Sequence, residues 1–389
     1  MKTLLVFLIS ILFLSAQENW ELMNPTPFTP RHHPVTFDLD SYGYVVCGAK
    51  EVDFVDYVRD FFRYDHLTDT WEQLEDFPGP ERGFSYGDTW NGKAYMGFGR
   101  DNAGNVLNDL WEFDPETMLW TELTPCPDDG RLHPAFTIAD GVLYVGLGNN
   151  RSGNLNDFWA YDIELDSWRR IDSLPGPPRH HPYYFTVNDV AYAGFGHGNN
   201  GAIYNDFYMY DVEIEEWVKL ENFPGEERVA GTQFDYNGKG YILSGQGVDH
   251  ENFDYGEFWE YDPGTMEWTE LEPHPESGRW APGNFLIGHK LFFMAGLSND
   301  SLESNMFLYE MPIPASIREL AQVELIYPNP TTDHINIDNA TTSEYRILDV
   351  FGKEIQSGQM SNKVDVSNLA SGQYFIVFDD KYGKFVIEN

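Results

Sequence analysis

Short apolar runs separated by turn residues recur along most of the chain. One unit begins with the run Ala135-Phe136-Thr137-Ile138, and the turn Asp140-Gly141 joins it to a second run, Tyr144-Val145-Gly146-Leu147-Gly148. A polar loop leads to a third run that ends in Tyr161-Asp162, and a short turn leads to a fourth run that contains Trp168. Because Asp-Gly and Asn-Gly pairs fit two-residue hairpins, the pattern predicts four antiparallel strands in each unit.

The unit repeats with a regular period. Tryptophans of the fourth run are 51, 49, 48, 49 and 51 residues apart, and arginines that precede the first run show the same five steps. The tryptophans are Trp20, Trp71, Trp120, Trp168, Trp217 and Trp268, and the arginines are Arg31, Arg82, Arg131, Arg179, Arg228 and Arg279. Two residue types in register at one period of roughly 50 residues predict a β-propeller made of four-stranded blades.

The two ends of the repeat array complement each other. Six units carry the arginine and the glycines, but no tryptophan follows the sixth unit, and no unit precedes Trp20. We therefore expect six blades, with the strand around Trp20-Glu21-Leu22 as the fourth strand of the last blade. Such a closure removes the open sheet edges that promote aggregation.

A different pattern follows the repeats, which end at Pro312-Ile313-Pro314 because proline cannot continue a sheet ladder. We expect a linker over residues 314–324 and then a small antiparallel sandwich at 325–389. Its predicted strands are 334–337, 345–350, 374–378 and 385–387, with turns at 351–353 and 382–384.

The repeat resembles the kelch family, in which glycines close the second strand and are followed by Tyr-Asp and then by Trp. The chain departs from that family in the second strand, where the usual double glycine is mostly Gly-x-Gly. The tail is similar to the type A sorting domain of the bacterial type IX secretion system. The matching motifs are Tyr327-Pro328-Asn329-Pro330, Asp349-Val350-Phe351-Gly352-Lys353-Glu354 and Leu369-Ala370-Ser371-Gly372-Gln373-Tyr374. The resemblances imply an all-β chain: a six-bladed kelch-type β-propeller at 17–313, followed by a small immunoglobulin-like β-sandwich.

The N-terminus predicts export. Lys2, an apolar run from Leu4 to Leu14 and the small residues before Gln17 are typical of a secretory signal peptide over residues 1–16. No later stretch approaches the roughly 20 apolar residues of a membrane helix, so we expect no transmembrane segment. With the sorting tail, this predicts passage across the outer membrane, with the type IX machinery as partner, to the cell surface or the extracellular space.

Composition excludes several partners and sites. The chain has 24 Lys and Arg against 63 Asp and Glu, a formal net charge of −39, which disfavours nucleic acids and anionic lipids. Its two cysteines, Cys47 and Cys126, are too few for a disulfide framework or a four-cysteine zinc site.

One face of the propeller is the expected ligand side, because the arginines and the long loops between second and third strands lie there. The candidate ligand-binding residues are Arg31, Arg82, Arg131, Arg179, Arg228, Arg279, His33, His133, His181, Asn199 and Asn200. For the arginines an alternative is structural pairing with an acid 26 to 29 residues later, namely Asp60, Asp109, Asp157, Asp206 and Glu257. Blade six has Asn305 at that position.

The histidines come from different blades, and a metal needs several converging ligands, so we assign no metal site and expect no cofactor. No Ser-His-Asp spacing or carboxylate pair indicates a catalytic centre. Tyr204, Phe253 and Tyr255 in the long loops are candidates for stacking on sugar rings. The sequence therefore predicts an exported kelch-repeat binding protein with a glycan or protein ligand. The alternative is a carbohydrate-active enzyme on a kelch propeller, such as a sugar mutarotase, epimerase or oxidase.

Overall fold

The computed structural model describes residues 19–51, 56–313, 321–322, 326–337, 344–348, 354–359, 363–378 and 381–388. The predicted signal peptide lies outside these residues. Chain contacts divide the protein into two units, one ending at Met311 and the other beginning at Pro312.

The first unit consists of six four-stranded antiparallel sheets, one for each repeat. The first strands are Val35–Leu39, Tyr86–Trp90, Ala135–Ala139, Tyr183–Val187, Thr232–Tyr236 and Gly283–Ile287. The second strands are Tyr42–Val46, Lys93–Gly97, Val142–Gly146, Val190–Gly194, Lys239–Leu243 and Lys290–Met294. The third strands are Phe61–Asp65, Leu110–Asp114, Phe158–Asp162, Phe207–Asp211, Gly256–Asp262 and Met306–Glu310. The fourth strands are Thr70–Gln73, Leu119–Leu123, Ser167–Ile171, Glu216–Lys219, Glu267–His274 and, from the N-terminus, Trp20–Leu22.

Short elements lie in the loops between second and third strands, and one of them, Arg100–Asp101, pairs with Arg82–Gly83, which precedes the first strand of its blade. They are the pairs Arg82–Gly83 with Arg100–Asp101, Asn149–Asn150 with Gly153–Asn154, and Leu297–Ser298 with Ser301–Leu302, together with the 3₁₀ turn Asn199–Gly201.

The first strands surround a common axis. Each contacts the first strands of the two neighbouring sheets, and the last contacts the first, so the contacts close into a ring. Two-residue turns with positive φ join first and second strands, as at Asn91 (φ 49°) and Gly92 (φ 75°). This geometry belongs to the type I′ turn that the sequence predicts.

The N-terminal strand completes the sixth sheet. Trp20 pairs with Tyr309 and Leu22 with Phe307 in antiparallel register, as the unmatched tryptophan predicts. The Trp20 ring is buried against Tyr309 and Phe258, and Phe258 belongs to the fifth sheet. The strand Trp20–Leu22 therefore also packs on the neighbouring blade.

Aromatic side chains fill the space between blades. Tyr64 of the first sheet lies 5.9 Å from Phe285 of the sixth between ring centroids, and Phe61 lies 5.0 Å from Phe113 of the second. Each such cluster combines residues from neighbouring sheets, so the hydrophobic core runs around the ring.

The second unit contains a five-stranded and a three-stranded sheet. The five-stranded sheet has the order Ala321–Gln322, Lys381–Ile387, Gly372–Phe378, Glu344–Leu348 and Glu354–Gln359. The three-stranded sheet has the order Ile326–Tyr327, His334–Ile337 and Lys363–Asp365. Its immunoglobulin-like assignment stays a prediction.

Two features of this unit differ from expectation. The turn predicted at 382–384 is wrong, because these residues lie inside the strand Lys381–Ile387. Gly383 signals a close approach instead, since a Cβ there would lie 2.0 Å from the Ile326 side chain. In addition, Ala321–Gln322 form a strand within the stretch predicted as a linker. The turn predicted at 351–353 lies outside the described residues.

Candidate functional site

The six arginines that open the blades are completely buried. In four blades the guanidinium pairs with the acid next to the first residue of the third strand in the same blade, as in Arg31 with Asp60 at 2.8 Å between Nη2 and Oδ2. The other pairs of this kind are Arg82 with Asp109, Arg179 with Asp206, and Arg228 with Glu257.

Blades three and six carry an additional acid three residues before the arginine. Arg131 contacts both Asp128 and Asp157. Arg279, whose blade has Asn305 at the corresponding position, pairs with Glu276 at 2.7 Å. A buried arginine requires a counter-charge, and blade six supplies it from a different position.

The same arginines also form hydrogen bonds with the backbone of their own blade and of the preceding blade. In five blades Nη1 donates to the carbonyl of the residue after the second strand, for example from Arg179 to Phe195 at 3.1 Å, whereas Nη1 of Arg228 has no hydrogen-bond partner among the described residues. The arginine carbonyl accepts a hydrogen bond from the second-strand glycine of the preceding blade, as Arg179 does from Gly148 at 2.8 Å, and Gly296 closes this series on Arg31. Because no guanidinium has exposed surface, we correct their assignment from candidate ligand-binding residues to the structural alternative.

The residue two positions after each arginine lies at the propeller axis. These six residues, here called the axial ring, are His33, Phe84, His133, His181, Ala230 and Ala281, and all have φ between 48° and 63°. The backbone amides of His33, His133, His181, Ala230 and Ala281 donate to the backbone carbonyl of the axial-ring residue in the preceding blade, as His181 does to His133 at 3.2 Å. The backbone therefore fixes six side chains around one point.

Three of these side chains are the histidines predicted from sequence. One imidazole nitrogen from each of His33, His133 and His181 lies within 4.8 Å of the other two. Nε2 of His33 is 2.9 Å from Nε2 of His181, and the rings of His133 and His181 stack with centroids 3.7 Å apart. All three are buried, with Phe84 and Trp280 against the His33 ring.

Hydrogen bonds define which nitrogens of the cluster carry protons. His32 donates from Nε2 to the carbonyl of Glu51, so its Nδ1 accepts from Nδ1–H of His33 at 2.7 Å. His133 donates from Nδ1 to Oδ1 of Asn149 at 2.9 Å. Nε2 of His33 and Nε2 of His133 therefore both carry lone pairs.

The cluster is electrically neutral. Burial, followed by repulsion from neighbouring imidazoles, holds the pKa of His33, His133 and His181 well below 6.5. Burial also lowers the pKa of His32 to about 4. Neutral imidazoles retain the lone pairs that metal coordination uses.

More imidazoles extend from the ring to the surface. His180 lies 5.5 Å from His133, His197 lies 4.8 Å from His180, and His250 lies 4.9 Å from His197 between ring centroids. Exposure rises along this series, from buried His133 through the partly exposed pair to exposed His250. We call His180, His197 and His250 the outer histidines.

Comparisons agree with the geometry of the repeats. The sequence matches the KLHDC2/KLHL20/DRC7 Kelch-repeats domain over residues 99–234 and 131–296. The chain belongs to the kelch-repeat family. Residues 325–388 match the secretion system C-terminal sorting domain.

A solved structure with the same fold is that of YjhT, at 15% sequence identity and a TM-score of 0.61, covering 73% of this chain and 95% of that one. A search of curated proteins gives no match. The sorting domain indicates that this kelch protein engages the type IX secretion system and is exported to the cell surface or secreted. Among the described residues, no helix has the length and apolar character needed to cross a membrane.

The predicted loop residues of the kelch propeller divide into two groups. Asn199 and Asn200 are exposed, and Oδ1 of Asn199 accepts from Nδ2 of Asn154 in the neighbouring loop at 3.2 Å. Tyr204 and Phe253 lie over the guanidinium groups of Arg179 and Arg228. Phe253 is buried, so it has a packing role, whereas Tyr204 is partly exposed. Tyr255 is 66% exposed.

The propeller also contains a cavity that the sequence did not predict. It has a volume of about 480 Å³ and is lined by the first strands, with Pro34 and Pro282 next to the axial ring. Burial raises the pKa of its carboxyl groups Asp38 and Asp88 to about 7 and that of Asp235 to about 6. An acid inside an apolar first strand, as in Val35–Leu39, is the signal that could have located it.

Proposed function

We propose that this exported kelch protein binds a neutral glycan on its loop-rich face. The observation that carries the proposal is a surface of amide side chains on three neighbouring loops, where Asn199 and Asn200 of the middle loop are exposed and the amides of the outer two loops are partly exposed. Residues 149–155, 197–204 and 246–255 supply these loops from blades three, four and five. The Asn154–Asn199 hydrogen bond joins the first two, and the His197–His250 ring contact joins the last two.

The chemistry of this surface suits sugar hydroxyls. The middle loop, His-Gly-Asn-Asn-Gly-Ala-Ile-Tyr, contains no charged residue, although the chain as a whole has a net charge of −39. Amide side chains donate and accept hydrogen bonds, as hydroxyl groups do. Tyr255 in the third loop offers an exposed ring of the kind that stacks on a sugar.

A glycan array followed by calorimetry with the best glycan tests the proposal. Asn200 has φ 59°, so Asn200→Gly removes the amide and keeps a backbone conformation that glycine adopts freely. We expect about fivefold to tenfold weaker binding, the value of one hydrogen bond. Tyr255→Ala should weaken binding by about tenfold, through loss of an aromatic contact.

Asn188→Gly is the matched control. Asn188 is also exposed with a left-handed φ of 50°, but it lies in a first-to-second-strand turn on the opposite face. An equal effect of the two glycine variants contradicts the proposal, as does the absence of glycan binding. Capture of a defined protein in place of a glycan would support the other ligand class, and turnover of the bound sugar would support the enzyme alternative.

A further inference from the structure

We propose that His33, His133 and His181 bind one divalent transition-metal ion of the zinc or copper type at the propeller axis. The inference does not depend on glycan binding, because it rests on buried side chains of the axial ring. Its first support is the convergence of three imidazole nitrogens, within 4.8 Å of one another, from blades one, three and four.

The spacing of His33 and His181 nearly fits a tetrahedral ion. With zinc–nitrogen distances of about 2.0–2.1 Å, two ligand nitrogens lie about 3.3 Å apart. The His33 and His181 nitrogens are 2.9 Å apart, so they need to separate by about 0.4 Å. The nitrogen of the third ligand, His133, lies within 4.8 Å of the other two, so its ring, which stacks on His181, needs to shift by up to about 1.5 Å.

The second support is a lone pair without a donor. His133 is 7% exposed, and its buried Nε2 has no hydrogen-bond partner among the described residues. An unsatisfied buried polar atom is costly, and a metal ion would satisfy it. Nε2 of His33 also carries a lone pair, which accepts from His181 when no ion is bound and would face the same ion.

Neighbouring residues hold two of the three rings in the coordinating tautomer. Asn149 accepts from Nδ1–H of His133, and His32 accepts from Nδ1–H of His33. Metal-bound histidines commonly have such partners on their second nitrogen. His32 and Asn149 are therefore positioning residues, and neither needs to contact the ion.

The donor set also selects the ion. Imidazole nitrogen suits zinc, copper and nickel, whereas calcium and magnesium prefer oxygen ligands. Three protein ligands leave the fourth position for water or a ligand. The outer histidines provide a route from the loop-rich face, and Nδ1 of His197 on this route is a second buried nitrogen without a partner in the described part of the chain.

Calorimetric titration of the chelator-treated full chain with Zn²⁺ tests the site. We expect one ion per chain. His133→Ala and His181→Ala should each weaken Zn²⁺ binding by more than about a hundredfold. Even the loss of a residue that only hydrogen-bonds to a metal ligand commonly lowers metal affinity by about 10–100-fold. Asn149→Ala should weaken binding by about tenfold, and Asn149→Asp, which keeps the acceptor, should restore it. The visible spectrum of bound Co²⁺ should report nitrogen ligands and change in the His133→Ala variant.

The propeller itself shows that alanine is accepted in the axial ring, because Ala230 and Ala281 occupy it in blades five and six. Thermal unfolding in chelator checks that the variants fold. The control combines His66→Ala and His289→Ala, two histidines outside the cluster, and should bind Zn²⁺ normally. Asn200→Gly should also keep the metal. Absence of saturable binding of Zn²⁺, Cu²⁺ and Co²⁺, or binding that His133→Ala and His181→Ala leave unchanged, overturns the proposal.

Discussion

The buried arginine–acid pairs predict unequal effects of the same substitution in two blades. In blade four, Asp206 is the acid that pairs with Arg179, and Gly176 stands where blade three has Asp128. In blade three, Arg131 contacts Asp128 as well as Asp157. Asp206→Asn therefore leaves a buried guanidinium without its carboxylate, whereas Asp157→Asn does not.

The size of the difference follows from the contacts. Although burial opposes ionisation, the hydrogen bond and charge of Arg179 lower the pKa of Asp206. Removing one partner of a buried ion pair costs about 3–5 kcal/mol. The Asp206 side chain is 13% exposed and an asparagine oxygen can still accept one N–H, so we expect about 3 kcal/mol. For Asp157→Asn we expect about 1 kcal/mol, the loss of one hydrogen bond.

Calorimetric unfolding of the chelator-treated proteins measures both effects. An unfolding entropy of about 2.1 cal/mol/K per residue over the roughly 290 residues from Trp20 to Met311 is about 0.6 kcal/mol/K. Asp206→Asn should therefore lower Tm by about 5 °C, and Asp157→Asn by less than about 2 °C. The substitutions are matched, because each acid also accepts from an aromatic donor two residues later, Tyr208 or Trp159. Equal shifts, or a larger shift for Asp157→Asn, would refute the reasoning.

Two further predictions concern ring closure and the cavity. Trp20→Ala should lower the free energy of unfolding, measured in urea, by about 3–5 kcal/mol, because the ring is buried between the fifth and sixth blades. A loss as small as that from substituting an exposed residue would contradict closure of the propeller by this strand. Burial raises the pKa of Asp38 to about 7 in the folded protein, so this carboxyl binds a proton more tightly when folded, and its contribution to stability falls as pH rises from about 4 to 7. Because about three pKa units correspond to about 4 kcal/mol, Asp38→Asn should raise the free energy of unfolding at pH 8 by about that amount and leave it unchanged near pH 4. An equal change at the two pH values would contradict the raised pKa.

The repeat made much of the propeller predictable. Trp20 and Arg279 belong to the same blade although 259 positions separate them. The link is predictable because the sixth unit lacks a tryptophan and Trp20 has no unit before it. The pairing of Arg31 with Asp60 follows in the same way, because five units place an acid 26 to 29 residues after the arginine, at the same point of the repeat. The C-terminal unit was harder to predict. A glycine such as Gly383 can form a turn or leave space for a neighbouring side chain, here Ile326, and the sequence does not distinguish the two roles.

Convergence at the axis was not predictable from residue identity. His33 and His181 lie 148 positions apart in sequence and 2.9 Å apart between Nε2 atoms. What brings them together is the left-handed conformation two residues after each arginine, at a position that holds His, Phe or Ala. Since these side chains vary from blade to blade, the repeat gave no consensus residue to indicate that the position faces the axis.

The variation in residue type around the axial ring also helps to explain why histidine occupies three of its positions. The backbone makes the ring hydrogen bonds, as from Ala281 to Ala230 at 2.7 Å, so alanine suffices for the fold at this position. Burying three imidazoles instead costs desolvation free energy, and His133 does not recover it, because its Nε2 finds no donor within the described structure. A fold that needs only alanine does not explain this cost, whereas an ion held by three neutral imidazoles would offset it. The axial histidines are therefore better explained by a ligand than by the stability of the propeller.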